Sequence, residues 1–200
     1  MKRVSRKPQT QKTKSGNVRI ISGQYRGRKL PVADVDGLRP TTDRNKETLF
    51  NWLMHDLPDA HCLDAFAGSG GLGFEALSRY AGHCTFIEKD RNVAAQLKTN
   101  LSAMSANGEV INGDAVQVLS STDKQFDIIF IDPPFNHGLV EPVLQVILSR
   151  NLLKPDGVIY VEQEINAPSP LISERLQIVK EKKLAQVMYC LLSLEDCLSG

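Results

Sequence analysis

A glycine-rich run at residues 62–73 has the composition of a nucleotide-binding turn, because a short apolar segment breaks into glycines and then into a helical pattern. Gly68, Gly70 and Gly73 fit the pattern G-x-G-x-x-G, in which glycines let the backbone turn sharply and approach a ligand closely. The following helix would present free N–H groups and the positive end of its dipole. Glu88 lies twenty residues beyond Gly68, where a carboxylate can accept hydrogen bonds from ribose hydroxyls. Any strand-to-helix turn can collect glycines, so this run alone leaves the cofactor open.

A second group of residues, Asp132-Pro133-Pro134-Phe135, directly follows the apolar run at residues 126–131. Two consecutive prolines cannot continue a strand or donate backbone hydrogen bonds. We expect this turn to lie at the carboxyl edge of a sheet, where ligands bind in open α/β folds. A carboxylate, a backbone carbonyl and an aromatic ring fit a planar base with an exocyclic amine, since the two acceptors take both N–H donors and the ring stacks on the base.

The elements that must position these residues alternate between strand-like and helical patterns. This alternation predicts a mostly parallel sheet with crossover helices, followed by an antiparallel carboxyl-terminal hairpin whose turn is the charged run Glu181-Lys182-Lys183. A helix through Leu53, capped by Thr41 or Thr42, should lie against the cofactor end of the sheet. The predicted strands are the run beginning at Cys62 and residues 84–87, 109–112, 126–131, 158–162, 176–180 and 185–192. The crossover helices are predicted at residues 72–80, 92–104, 115–119 and 139–148.

The two motifs together resemble the class I S-adenosylmethionine-dependent amino-methyltransferases, through Asp64-x-Phe66-x-Gly68-x-Gly70 and the Asp132 turn. The amino-terminal runs at residues 19–30 and 39–44 resemble the RsmD family, which methylates guanine N2 in bacterial small-subunit ribosomal RNA. The resemblance implies a Rossmann-like class I methyltransferase fold with a seven-stranded, mostly parallel sheet, a carboxyl-terminal antiparallel hairpin and an amino-terminal β-hairpin extension. It implies S-adenosyl-L-methionine as the cofactor.

The resemblance also assigns site residues. Asp114 matches an acid that accepts a hydrogen bond from the adenine amino group of the cofactor, although the same side chain could cap the helix that follows. The expected catalytic residues are Asp132, Pro133 and Phe135. The expected cofactor-binding residues are Asp64, Phe66, Gly68, Gly70, Glu88, Asp114 and Ala115. The expected RNA-binding residues are Arg19, Tyr25, Arg26, Arg28, Lys29, Arg39 and Arg44.

The charge of the chain is unevenly distributed, although its net value is only +1. Residues 1–30 hold ten of the 24 basic side chains and no acidic one, so the other 170 residues carry 14 basic and 23 acidic side chains. A basic arm on an acidic body favours an anionic partner bound at one place, although a solvated tail would look the same. We expect a disordered basic tail at 1–16, an RNA-binding hairpin at 17–38 and a methyltransferase domain at 39–200.

The sequence also predicts a cytoplasmic monomer with no membrane partner and no metal site, because no long apolar run and no C-x-x-C pair occurs. Its expected partner is small-subunit ribosomal RNA, bare or within an assembled 30S subunit. Three alternatives stay open at this stage. A DNA adenine-N6 methyltransferase shares the amine-binding turn, an NAD-dependent oxidoreductase shares the glycine pattern, and a non-catalytic RNA-binding protein could retain the fold.

Overall fold

The apolar runs form one large sheet and a separate small hairpin in the computed structural model, which describes residues 16–33, 43–170 and 175–195. The strands are β1 Asn17–Arg19, β2 Lys29–Pro31, β3 His61–Asp64, β4 His83–Glu88, β5 Gly108–Asn112, β6 Phe126–Ile131, β7 Leu153–Glu164, β8 Leu176–Leu184 and β9 Val187–Leu194. The large sheet has the order β5-β4-β3-β6-β7-β9-β8. Strands β3 to β7 are parallel and β9 is antiparallel to both β7 and β8. The predicted seven-stranded sheet with an antiparallel hairpin is confirmed.

Helices cover both faces of this sheet. They are α1 Asp43–Trp52, α2 Gly71–Ser78, α3 Arg91–Met104, α4 Ala115–Ser121 and α5 Val140–Ser149. One apolar core contains residues of α1, α2 and α3 together with the small hairpin, and the other contains residues of α4 and α5. The central strands are buried on both sides, as expected for a parallel sheet between two helical layers. No helix of the described segments is long and apolar enough to cross a membrane.

The order of the strands brings the sequence motifs to one edge of the sheet. From β3 the chain adds β4 and β5 on one side, and β6 then returns to the other side of β3. The carboxyl ends of β3 and β6 therefore flank a topological switch point, where α/β sheets bind ligands. The glycine-rich turn follows β3 and the Asp132 turn follows β6 at this switch point.

A buried carboxylate attaches the small hairpin, β1 and β2, to the body of the molecule. Glu75 of α2 is 1% exposed and accepts hydrogen bonds from Ile21 N at 2.8 Å and Ser22 N at 3.1 Å. The hairpin turn also packs on the end of α2, because Gln24 N donates to Ser78 O at 2.8 Å. A crossover helix ends at the amino edge of the sheet, so the hairpin turn lies about 12 Å from the glycine turn, the length of α2.

The strand predicted at residues 158–162 is longer and runs over Leu153–Glu164, and two further predicted boundaries are wrong for reasons that the structure shows. The crossover helix α2 ends at Ser78 instead of Tyr80, because Tyr80 has a φ of +73° and Ala81 N donates back to Ala76 O, as in a helix-ending cap. The carboxyl-terminal hairpin turns at residues 185–186 instead of 181–183, with Ala185 at a φ of +54°. Charged residues suit an exposed edge strand such as β8, so their charge did not mark a turn. Residues 1–15 of the tail predicted at 1–16 and the capping residues Thr41 and Thr42 lie outside the described residues.

Candidate active site

Asp64 ends the central strand β3 and holds the glycine turn in place. Its side chain is 2% exposed, and Oδ2 accepts a hydrogen bond from Gly73 N in the first turn of α2 at 3.0 Å. Burial raises the pKa of Asp64 to about 7 against the lowering effect of this hydrogen bond, and the nearby carboxylates of Asp132 and Glu88 add to the rise. Asp64 therefore fixes the turn from within the protein, and its contact with a cofactor stays a prediction.

The glycines of the turn meet two different constraints. Gly68 and Gly70 have φ values of +49° and +78°, which favour glycine. A Cβ atom at Gly70 would also overlap the ring of Phe74, and one at Gly73 would overlap the ring of Phe86. The pattern of three glycines is thus required by backbone conformation at the turn and by close packing of α2 on β4.

Glu88 ends β4 and binds the same turn from the neighbouring strand. Its Oε2 accepts from Gly68 N at 2.8 Å and its Oε1 accepts from Asp90 N at 2.7 Å. Each carboxylate oxygen has a second acceptor position, so these bonds still allow a contact with ribose hydroxyls. The structure brings Gly68 and Glu88 together as the twenty-residue spacing indicates, while the ribose contact itself stays a prediction.

Asp114 follows β5 at the same edge. Its Oδ1 accepts from Val116 N at 3.1 Å, so it caps α4 as one of the two interpretations requires. Its Oδ2 faces Lys89 Nζ at 3.5 Å in a partly exposed pair. Ala115 is buried behind it, and Phe66 in the glycine turn is half-buried. The cap and the predicted adenine contact are compatible, because they use different oxygen atoms.

The Asp132 turn has the exposure expected of an amine receptor. Asp132 and Phe135 are half-buried, while Pro133 is buried against the sheet and Pro134 is exposed. The turn is closed by Asn136, which has a φ of +63° and whose N–H donates to the Glu164 carboxylate at the end of β7. Asp132 is therefore held where a base could approach from solvent.

The sequence interpretation missed three side chains beside Asp132. Tyr160 and Glu162 point to the same face of β7, and the Tyr160 hydroxyl donates to Glu162 Oε2 at 3.2 Å. The pKa of Tyr160 is raised well above its usual value by burial and by the carboxylates of Glu162 and Asp132. Tyr189 of β9 lies opposite Glu162. The available signal was an acidic residue at the carboxyl end of an otherwise apolar strand.

A shallow groove lies between α1 and strands β7, β8 and β9. Its lining residues are Asn45, Thr48, Leu49, Trp52, Tyr160, Lys182 and Tyr189. Helix α1 also packs the ring of Phe50 against that of Phe130 on β6, with 6.0 Å between centroids and 50° between planes. This helix lies against the β6–β7 side of the sheet, and two tyrosine rings form part of the wall of the groove.

The expected RNA-binding residues are less concentrated than the sequence indicates. Arg19, Arg26, Arg28 and Lys29 are exposed, and Tyr25 is half-buried. The Arg28 guanidinium lies 5.2 Å from the Tyr25 ring centroid and donates to Ala103 O at 3.2 Å. These contacts place the hairpin turn at the amino edge of the sheet, away from Asp132. Arg39 and the side chain of Arg44 lie outside the described part of the chain.

Comparison with known proteins identifies the family. Residues 18–193 match the family model described as Conserved hypothetical protein 95. Ribosomal RNA small subunit methyltransferase D of Escherichia coli strain K12 is 49% identical over 176 residues, which are 88% of this chain and 89% of that protein. The Haemophilus influenzae protein of the same name is 50% identical over 179 residues, covering 87% of this chain and 92% of that protein. The chain belongs to the RsmD family.

The solved structure of yhhF from Escherichia coli is 48% identical and superposes with a TM-score of 0.84. The match covers 90% of this chain and 99% of that one. Family membership and this superposition confirm the Rossmann-like methyltransferase fold that the sequence motifs indicate.

Replacement of Gly70 by alanine should disrupt the turn, because the new Cβ adds a collision with Phe74 to the strain of a positive φ. We expect a destabilisation of about 2–4 kcal/mol and at least a tenfold loss of S-adenosylhomocysteine affinity, measured by urea unfolding and calorimetry. Gly27→Ala is the matched control, since it has a φ of +83° but open space around its Cβ. Equal losses of stability and of cofactor affinity in Gly70→Ala and Gly27→Ala would contradict the role of Gly70 in the cofactor-binding turn.

The pKa of about 7 at Asp64 predicts a specific pH dependence of stability. The folded state binds more protons than the unfolded state between pH 4 and 7, so this carboxyl stabilises the fold less as the pH rises through that window. We expect the unfolding free energy of the wild type, relative to Asp64→Asn, to fall by about 3 kcal/mol between pH 5 and 7.5. Urea titrations at four pH values measure this difference in unfolding free energy. A difference that stays constant or rises with pH would contradict the raised pKa of Asp64.

Proposed function

We propose that this chain transfers a methyl group from S-adenosyl-L-methionine to the exocyclic N2 amine of a guanine in small-subunit ribosomal RNA. Membership of the RsmD family supports methyl transfer to ribosomal RNA with this cofactor. The observation that carries the proposal is the placement of Asp132 and the Pro133 carbonyl at the switch point, one strand away from the glycine turn. Because the chain belongs to a methyltransferase family, the alternative of an NAD-dependent oxidoreductase is excluded.

The residues at the edge fit the cofactor by their chemistry. Glu88 ends β4 and Asp114 lies just after the neighbouring strand β5, and both supply acceptors, which suit ribose hydroxyls and an adenine amino group. The Gly68–Gly70 turn allows close approach of a ligand to the backbone. When bound, the sulfonium of S-adenosyl-L-methionine supplies an electrophilic methyl group. No metal ion and no covalent enzyme intermediate are needed, so positioning of the amine supplies most of the catalytic effect.

Asp132 and Pro133 would orient the amine. The lone pair of guanine N2 is delocalised into the ring, which makes this amine a poor nucleophile. Its two N–H groups would donate hydrogen bonds to the Asp132 carboxylate and the Pro133 carbonyl. These hydrogen bonds favour the transition state, in which the amine is more pyramidal and more positive. Phe135 would hold the plane of the base. In this arrangement Asp132 acts chiefly through its charge, and the proton leaves during or after methyl transfer.

The RNA partner is supported by the basic side chains that precede and form the small hairpin. Residues 17–31 place Arg19, Arg26 and Lys29 on the exposed surface of the hairpin, which is tied rigidly to α2 through Glu75. RNA that contacts both the hairpin turn at Arg26 and the Asp132 turn must extend over the length of α2. Ribosomal proteins in the substrate, a monomeric enzyme and a cytoplasmic location stay predictions.

Transfer of labelled methyl from S-adenosyl-L-methionine tests this function. The substrates are naked small-subunit ribosomal RNA, assembled small subunits and duplex DNA, and the modified nucleoside is identified by mass. We expect N2-methylguanosine in the RNA samples and no label in DNA, because the family and the basic hairpin both favour RNA. Label confined to DNA as N6-methyladenine would contradict the RNA substrate and would leave the amine-binding role of Asp132 intact.

A further inference from the structure

A buried carboxylate lies next to the proposed amine receptor. Strands β6 and β7 are parallel, and their register pairs Ile131 with Val161, so the next residues along each strand are Asp132 and Glu162. Glu162 is 7% exposed. Asp132 directly follows β6 and Glu162 lies two residues before the end of β7, so the two carboxylates are placed side by side at the carboxyl edge of the sheet.

Glu162 is held in a defined orientation. The hydroxyl of Tyr160, a residue that is 1% exposed, donates to Glu162 Oε2 at 3.2 Å. The ring of Tyr160 stacks with that of Tyr189 at 6.5 Å between centroids and 17° between planes. A buried carboxylate is costly unless polar partners compensate it, and the Tyr160 hydroxyl is one such partner that fixes the orientation of Glu162.

A second carboxylate could distinguish guanine from adenine and cytosine, the other two bases with an exocyclic amine. In guanine one of the two ring nitrogens beside the amine-bearing carbon, N1–H, is a hydrogen-bond donor. In adenine and cytosine the ring nitrogen beside the amine-bearing carbon is an acceptor, which a carboxylate would repel. Asp132 and the Pro133 carbonyl accept only from an amine, so by themselves they accommodate all three bases.

We propose that Glu162 accepts a hydrogen bond from N1–H of the target base and so selects guanine over adenine and cytosine. This inference rests on the proposed function, because it assigns the base specificity of the same site. A site built to bind a donor strongly rejects an analogue that lacks it, since the polar group of the site then loses its partner. Glu162 thus distinguishes guanine from the other amino bases, which Asp132 and the Pro133 carbonyl cannot do alone.

The test uses 2-aminopurine, which keeps the reacting amine and has no hydrogen on N1. The target guanine is located by mass in the wild-type product, and RNA is then prepared with guanine or 2-aminopurine at that position. We expect the wild type to methylate guanine with a kcat/KM about 10- to 100-fold above that of 2-aminopurine, the factor expected for a hydrogen bond to a charged acceptor. Equal rates for the two bases would overturn the inference.

Glu162→Gln and Glu162→Ala separate the N1–H contact from other differences between the two bases, such as the absence of O6 in 2-aminopurine. We expect the ratio of guanine to 2-aminopurine to fall by about tenfold or more in Glu162→Ala and by less in Glu162→Gln, whose neutral oxygen is a weaker acceptor. Glu109→Gln, at the amino-edge side of β5, is the matched control and should keep the wild-type ratio.

Melting temperature and S-adenosylhomocysteine affinity show that each variant is folded, independently of activity. An unchanged base ratio in both folded Glu162 variants would overturn the inference and leave the proposed function standing. Absence of N2-methylguanosine with the wild-type enzyme would overturn both.

Discussion

The hydrogen bond between the buried carboxylate of Asp64 and Gly73 N is the constraint on which the site depends. It joins the end of the central strand to the first turn of α2, so the chain between them must turn within a few residues. Glu88 then fixes that turn from the adjacent strand through Gly68 N. A buried carboxylate without hydrogen bonds would cost several kcal/mol. Loss of the turn would therefore leave Asp64 without its hydrogen bond from Gly73 N, and loss of the carboxylate would release the turn.

The same edge of the sheet accumulates negative charge. Five carboxylates lie near the carboxyl ends of the parallel strands, namely Asp64, Glu88, Asp114, Asp132 and Glu162. Their mutual repulsion is visible in the raised pKa of Asp64, to which Asp132 and Glu88 contribute after burial. An acidic edge favours ligands that are cationic or rich in hydrogen-bond donors. A sulfonium cofactor and an amino base both meet that description, whereas the phosphates of RNA are better placed against the basic hairpin.

Much of this arrangement could be predicted from local patterns, and the exceptions share one physical cause. Glycine spacing and paired prolines encode backbone geometry within a few residues, so the two turns could be predicted from the sequence, and hydrophobic periodicity predicted the succession of strands and helices around them. The β8–β9 turn at Ala185, the attachment of the small hairpin through Glu75 and the pairing of Tyr160 with Glu162 depend on contacts between distant segments. Strand register and burial of polar side chains are set by such tertiary contacts, which no local pattern records.

Asp132 is expected to act on the amine of the base and not on the cofactor. Turnover of ribosomal RNA and affinity for S-adenosylhomocysteine should therefore be measured together for Asp132→Ala, with Asp123→Ala, an exposed carboxylate before β6, as the control. We expect kcat to fall about 100- to 1,000-fold in Asp132→Ala, with cofactor affinity within about threefold of the wild type. Equal losses of turnover and cofactor affinity would contradict this role of Asp132.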